Sequence, residues 1–459
     1  MKMTLDDCAQ AVQGHLSGAN SEFGSVSIDS RAIKPGQLYV AIKGPRFDGN
    51  DFIAEAEQAG AIASIVLPTA QATKAHIVVN DTRLALAQLA GAWRNAWASS
   101  AANPPAVVGV TGSNGKTTVK EMVAAVLAVK DEVLFTQGNL NNDIGVPLTL
   151  LRLDGQHRYA VIEMGANHAG EIAYTSTYAQ ADVVIITNAG AAHIEGFGSL
   201  DGVAKAKGEL VETLKPSGIA VLNHDDKYFG YWRTLAGDRK VCTFGLAEGA
   251  DVTALAISTT IHGHAFVTRF ELVTALGTMT INLHLAGRHN VLNALAAAAA
   301  GLALGLSLAE VKQGLEQVRP VTGRLQLLQG RLGNLIIDDT YNANSASLKA
   351  GLDVLAQTPG EPWLVLGAFG ELGPESPAMH ADMGALIKAS GVQRLWALGE
   401  DCKHTVQAFG DGALFFDSHQ ALIDALNVAL TGEETILIKG SRAQRMENIA
   451  AALVENFRN

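Results

Sequence analysis

Cysteine is the first scarcity. Cys8, Cys242 and Cys402 are the only three in 459 residues, and they lie far apart. A set that is odd and scattered excludes a disulfide framework and offers no zinc-ligand spacing. Positive charge is short as well, with 34 Lys and Arg against 45 Asp and Glu and a net charge of −11. That balance argues against a nucleic-acid-binding surface but leaves local anion sites open. Long apolar runs are missing: the least polar stretch, residues 294–306, is too short and alanine-rich to span a bilayer. Residues 1–16 lack the apolar core of a secretory signal. What is present, 48% hydrophobic and 17% charged residues, suits a well-cored globular protein of about three domains. These features predict a cytoplasmic enzyme with no nucleic-acid partner and no membrane insertion; a monomer is expected, though not from composition.

The richest stretch is Gly109-Val110-Thr111-Gly112-Ser113-Asn114-Gly115-Lys116-Thr117-Thr118. Residues 106–110 read as a buried strand, and Val119, Met122, Val123, Val126 and Leu127 mark one face of a following helix. A strand, a glycine-rich loop and a helix opening on Lys-Thr make a phosphate cradle of backbone N–H groups. In that arrangement Lys116 reaches the terminal phosphates and the Thr117 hydroxyl holds Mg²⁺. The first glycine of the general phosphate-loop pattern falls on Val110 here. A tight turn that merely needs glycine is the plain alternative. Lys116 weighs against it, because the macrodipole disfavours a cation at a helix start unless an anion sits there too.

Around this unit the chain divides into a small mixed α/β region (residues 1–82), a central region (83–318) and a C-terminal region (319–459). In the first, Asp29-Ser30-Arg31 is either a capped surface turn or, with the glycine- and arginine-bearing loop 43–49, part of a phosphate-ligand site. Residues 98–105 read as a linker, and 137–147, with Asn139, Asn141 and Asn142, as a loop at a strand end. Glu163 closes an apolar strand, where a carboxylate is costly unless it is paired or metal-bound. His193 alone says little. Lys207 falls in the apolar stripe of Leu200, Val203, Ala204, Leu210, Val211 and Leu214, so it is either a snorkelling lysine or a desolvated, neutral amine.

Residues 218–286 read as strands and turns, and an alanine-rich helix follows, opened by Asn290 and Asn293. Those asparagines could cap the helix or contact a base. Residues 319–324 look like a hinge. Beyond it, strands at 335–338, 363–366, 394–397, 414–416 and 435–438 alternate with helices, which predicts a Rossmann-like parallel sheet without the dinucleotide-binding glycine motif. Its strand ends carry Asp338-Asp339-Thr340-Tyr341-Asn342-Ala343-Asn344 and Lys439-Gly440-Ser441-Arg442.

These pieces in this order resemble the Mur ligase family, ATP-dependent amide-forming enzymes of peptidoglycan precursor synthesis. The resemblance covers essentially the whole chain. It rests on Thr111–Thr118, Asp29-Ser30-Arg31, the 139–147 loop, Glu163-Met164-Gly165-Ala166-Asn167-His168, His193-Ile194-Glu195-Gly196-Phe197-Gly198-Ser199, Asp339-Thr340-Tyr341-Asn342-Ala343-Asn344, Leu366-Gly367 through Glu371-Leu372-Gly373, and Lys439-Gly440-Ser441-Arg442. The Asp-Asn-Pro-Arg and Asp-Tyr-Ala-His motifs of the branch that adds diaminopimelate or lysine are absent, which favours the branch that adds a dipeptide. Ala368-Phe369 stands where the family pattern has an acidic residue after Leu-Gly.

The resemblance implies three α/β domains: a small mixed one, a central one with an ATPase-like phosphate loop, and a Rossmann-like one. It implies that ATP and two Mg²⁺ serve as cofactors, and that UDP-N-acetylmuramoyl-tripeptide and D-alanyl-D-alanine are joined. It places the UDP end on Ser30 and Arg31, with Asn139, Asn141 and Asn142 also at the substrate. ATP falls on Gly112, Ser113, Asn114, Gly115, Lys116, Thr117 and Thr118. Thr117 and Glu163 become ligands of a first Mg²⁺, and His193 with a carbamylated Lys207 ligands of a second. Asn290 becomes an adenine contact, Arg324 a hinge arginine that meets phosphate, and Asp339 a ribose contact. Tyr341, Asn344, Lys439, Ser441 and Arg442 fall around the incoming dipeptide. Another amino-acid-adding member, such as a folylpolyglutamate synthase, and a nucleotide-switched binding protein are the competing expectations.

Overall fold

Successive residues of a strand face opposite sides of the sheet, so a strand that is apolar throughout needs cover on both. In the central part of the chain this requirement is met in full. The computed structural model describes residues 2–44, 47–100, 105–190, 194–263 and 265–454. Val107, Ile162, Val184 and Ile186 join one buried cluster, and Val108, Val110, Val161, Val183 and Ile185 join a second on the other side. The second face is covered by the helices Lys116–Ala128, Arg288–Ala303 and Leu308–Gln317. Small residues let these helices approach closely, since Ala294 and Ala296 through Ala300 are fully buried and Gly314 lies against the Val126 backbone.

Three larger sheets follow one another, beside a two-stranded ribbon of Met3–Thr4 and Glu22–Phe23. The first has five strands and runs from His15–Ser17 through Ala75–Val78, Ala63–Val66 and Leu38–Val40 to Val26–Ser27. The central sheet has nine strands; Val133–Phe135, Tyr159–Glu163, Ala106–Thr111, Val183–Ile186, Ile219–Asn223 and Lys240–Phe244 are parallel neighbours in that order. Val252–His262, Ala265–Thr274 and Gly277–Leu283 extend it as antiparallel strands. The third sheet has six strands, five of them parallel, with Leu335–Asp339 beside Glu434–Lys439. The expected α/β architecture is therefore present in all three parts. Among the described residues no helix is long and apolar enough to cross a membrane.

Two local expectations need correction. The stretch 218–286 also contains a helix, Phe229–Ala236, because its Trp232 is buried and donates to Ala204 O at 2.9 Å, anchoring the turn to the neighbouring helix Leu200–Glu212. The asparagine-rich loop at 137–147 ends inside another helix, Gly145–Leu150, where Asn142 Oδ1 accepts from the Gly145 N–H at 2.8 Å.

The strand Ala106–Thr111 lies between Tyr159–Glu163 and Val183–Ile186, and chain order reverses around it. A parallel sheet opens a ligand crevice at such a switch point, beyond the carboxyl ends of its strands. The third sheet closes over that crevice, and His289 sits at the seam. Gly287 takes φ +87°, and a side chain on it would press within 2.7 Å of the His289 ring, so the turn needs glycine. Burial, helped by the Lys439 cation, pushes the His289 pKa down to about 4. The folded protein thus holds His289 neutral where the unfolded chain protonates it, so stability is lost as pH falls from about 6.5 towards 4. Equilibrium unfolding should show His289→Gln losing less stability than the parent across that window, by up to about 3 kcal/mol, with the two converging above pH 7.

Candidate functional site: a phosphate cradle under a two-domain cleft

The loop between the strand Ala106–Thr111 and the helix Lys116–Ala128 is shaped by two glycines. Gly112 and Gly115 take φ +144° and +81°, and a side chain on them would strike the Thr187 hydroxyl and the Asn293 amide oxygen. Side chains beyond the next strand brace the loop. Thr187 Oγ1 donates to Asn114 O at 2.6 Å, the Asn114 N–H donates to Asn188 Oδ1 at 3.0 Å, and the Gly190 N–H donates to Ser113 Oγ at 2.9 Å. Thr187 and Asn188 carry no motif; their signal in the sequence is position, just past the end of a buried parallel strand.

Lys116 curls over this loop, with Nζ 2.7 Å from Gly112 O and 3.3 Å from Ser113 O. Burial lowers its pKa, the Glu163 carboxylate opposes that, and the Arg324 cation adds to it. Glu163 ends its strand opposite Val110, buried to 2% exposure. Its Oε1 accepts from Asn141 Nδ2 at 2.8 Å, while Oε2 is buried without a hydrogen-bond partner among the described residues. Lys207 is also 2% exposed, with Nζ 5.4 Å over the Phe197 ring. Burial, and next the Lys116 cation, push its pKa down to about 7. Of the two sequence readings, the desolvated amine is the one that matches.

Above the loop lies a cavity of about 350 Å³ lined from both sides, by Asn114, Gly115, Thr118, Asn290 and Asn293 and by Arg324 and Asp339. Asn290 does not cap its helix; its Nδ2 donates to Ala286 O at 2.8 Å and its Oδ1 accepts from Asn293 Nδ2 at 3.0 Å. Arg324 stacks 4.2 Å from the centroid of Tyr341 and donates to Thr117 Oγ1 at 3.2 Å. Asn344 caps the helix Ser345–Leu355 and also donates Nδ2 to Asn114 Oδ1 at 2.6 Å, a second tie between the parts.

Other predicted residues stand apart from this cavity. Lys439 is 1% exposed and donates to Asp339 Oδ2 at 2.5 Å and Asn342 O at 3.1 Å. Burial raises the Asp339 pKa, and Lys439 opposes the rise. Ser441 Oγ donates to Ala368 O at 2.7 Å, and Arg442 pairs with Glu447 at 3.1 Å. Lys439 and Ser441 therefore organise the strand-end loops from within. Arg31 pairs with Asp29 at 2.8 Å on an exposed 3₁₀ turn, and Ser30 Oγ lies 3.5 Å from Glu55 Oε2. Asn139 is exposed. His193 lies outside the described residues, as do parts of the 43–49 loop and of the 98–105 linker. Among the described residues no three His, Cys, Asp or Glu side chains gather as a metal cluster.

Comparison with known proteins covers the whole of this arrangement. The family descriptions "Mur ligase family, catalytic domain", "Mur ligase middle domain" and "Mur ligase, glutamate ligase domain" match residues 22–94, 110–301 and 323–442. The chain is 44% identical over 459 residues, 99% of each chain, to the UDP-N-acetylmuramoyl-tripeptide–D-alanyl-D-alanine ligase of Escherichia coli (strain K12). A crystal structure of MurF from Acinetobacter baumannii superposes with a TM-score of 0.92 at 37% identity, covering 99% of both chains. The MurF ligase of Thermotoga maritima in complex with ADP gives 0.82 at 28% identity, covering 93% of this chain and 96% of that one. An identity this high along the whole length, on top of a shared three-sheet fold, establishes that the chain belongs to the Mur ligase family.

Proposed function

We propose that this protein is an ADP-forming ligase that joins D-alanyl-D-alanine to UDP-N-acetylmuramoyl-tripeptide in peptidoglycan precursor synthesis. The observation that carries the reading is the end-to-end 44% identity to the ligase of that name. The cradle at Gly112–Lys116, facing a cavity shared with the C-terminal part, supports it independently. We assign residues 1–82 to the UDP end of one substrate, 83–318 to ATP and 319–459 to the incoming dipeptide, in a monomeric cytoplasmic enzyme.

A carboxylate carbon is a poor electrophile, and phosphorylation makes it attackable. The tripeptide carboxylate attacks the γ-phosphate of ATP, giving an acyl phosphate and ADP. The amine of D-alanyl-D-alanine then attacks the acyl carbon, phosphate leaves, and the amine gives up a proton. The protein contributes mainly position and field, because little covalent work falls to it in phosphoryl transfer. Lys116 meets the phosphates, Arg324 approaches them from the hinge, Asn290 faces the base and Asp339 the ribose. The residues present fit a divalent cation: the Glu163 oxygen without a partner lies buried near Lys116, and Thr117 offers a hydroxyl. Mg²⁺ held by Thr117 and Glu163 would neutralise charge on the transferring phosphoryl group. Lys207 has the depressed pKa that lets an amine add CO₂, and as a carbamate it would join His193 at a second Mg²⁺.

The Lys116→Ala variant should lose roughly 10²-fold or more in kcat, as expected for one preorganised donor at a developing charge; near-normal turnover would remove Lys116 from the cradle. ADP release should require both the tripeptide precursor and D-alanyl-D-alanine, and single amino acids in place of the dipeptide should fail. Release of ADP without any carboxylate substrate would instead favour a nucleotide-driven switch. Intact-protein mass spectrometry at high bicarbonate should show one added CO₂ that Lys207→Met abolishes; an unmodified amine under those conditions removes the carbamate.

A further inference from the structure

The family resemblance puts Asn141 at the substrate, but its side chain is already employed. Asn141 Nδ2 lies 2.8 Å from Glu163 Oε1. A carboxylate only accepts hydrogen bonds, so the amide must present its nitrogen here, and its orientation is fixed by chemistry. Asn141 is held in turn: its carbonyl accepts from the Gly165 N–H at 2.8 Å, and its N–H donates to Asn139 O at 2.7 Å. Gly165 leaves the room, because a side chain there would crowd the Asn141 amide at 3.0 Å. The Glu163 backbone is pinned from another side, where its N–H donates to Thr136 Oγ1 at 2.9 Å. The carboxylate is thus left with one engaged oxygen and one buried oxygen without a partner.

We infer that Asn141 is a positioning residue, holding Glu163 by one oxygen so that the other stays aimed at the divalent cation of the nucleotide. The inference rests on Glu163 as a metal ligand and adds the group that orients it. A carboxylate with both oxygens free can rotate about its last bond or turn both to the ion. One amide donor removes that freedom and leaves a single ligand atom. Partners of this kind, one step behind a metal ligand, typically contribute 10–100-fold in metal affinity.

The test reads metal binding directly, with Mn²⁺ titrated into the enzyme–ADP complex and free Mn²⁺ followed by electron paramagnetic resonance. Asn141→Leu is nearly isosteric and cannot donate; it should weaken Mn²⁺ about 10–100-fold. ADP affinity in EDTA and the KM for the UDP-linked tripeptide should stay at the parent values, and Asn141→Ala should behave alike if the leucine variant folds poorly. Parent-like Mn²⁺ affinity in a folded Asn141 variant overturns the inference, and a raised tripeptide KM with that affinity intact returns Asn141 to the substrate. Glu163→Gln separates the two levels. If it weakens Mn²⁺ while Asn141→Leu does not, only the positioning role falls; if neither does, Glu163 is not a metal ligand.

Discussion

Two buried lysines and an arginine are coupled in line beside the phosphate loop. Lys207, Lys116 and Arg324 form a chain in which Arg324 depresses the pKa of Lys116, and Lys116 depresses that of Lys207. Burial is the larger cause for both lysines, and Glu163 is the carboxylate that opposes it at Lys116. Glu209 and Glu171 oppose it at Lys207, so each buried ammonium has carboxylates to offset part of its desolvation. Much else at the crevice serves to keep those charges in place: the glycines of the loop, its bracing by Thr187 and Asn188, and the buried strands that carry Glu163 and Thr187 to their ends.

The cluster is not the property of one domain. Arg324 belongs to the hinge segment and Asn344 to the C-terminal sheet, yet they touch Thr117 and Asn114 of the phosphate loop across 207 and 230 residues of chain. These two direct hydrogen bonds contribute on the order of 1 kcal/mol each. Apolar burial adds to them, because Phe266 and Ala286 of the central part join the buried cluster of Ile337, Leu348 and Leu352.

Much of this was legible because the relevant signals are local. Periodicity separated strands from helices, Lys116 stood out as a cation at a helix start, and Glu163 and Lys207 each stood out as a charge in an apolar setting. The rest depends on contacts that spacing does not encode. Lys439 looked like a free cation at a strand end, but Asp339, one hundred residues earlier, is its neighbour across two parallel strands. Asn142, expected in a ligand loop, also accepts from the Gly145 N–H where a helix begins, a contact that spacing does not announce. The helix Phe229–Ala236 was hidden because aromatic residues favour strands until a partner such as the Ala204 carbonyl claims the Trp232 indole.

The Asp339–Lys439 pair shows what burial of charge achieves here. Replacing such a pair by apolar residues is often neutral or stabilising, so stability is a weak reason to keep it. Its value lies in direction. Asp339 Oδ2 is taken by Lys439 and Oδ1 by the Leu325 N–H at 3.3 Å, which fixes the plane of the carboxylate at the cavity wall. Lys439 also grips Asn342 O, so the same ammonium sets the course of the loop that carries Tyr341, and Tyr341 is the ring on which Arg324 stacks. One buried lysine thereby orients both a carboxylate at the cavity wall and the arginine that leans on the phosphate loop. It shapes the cavity wall without lining the cavity.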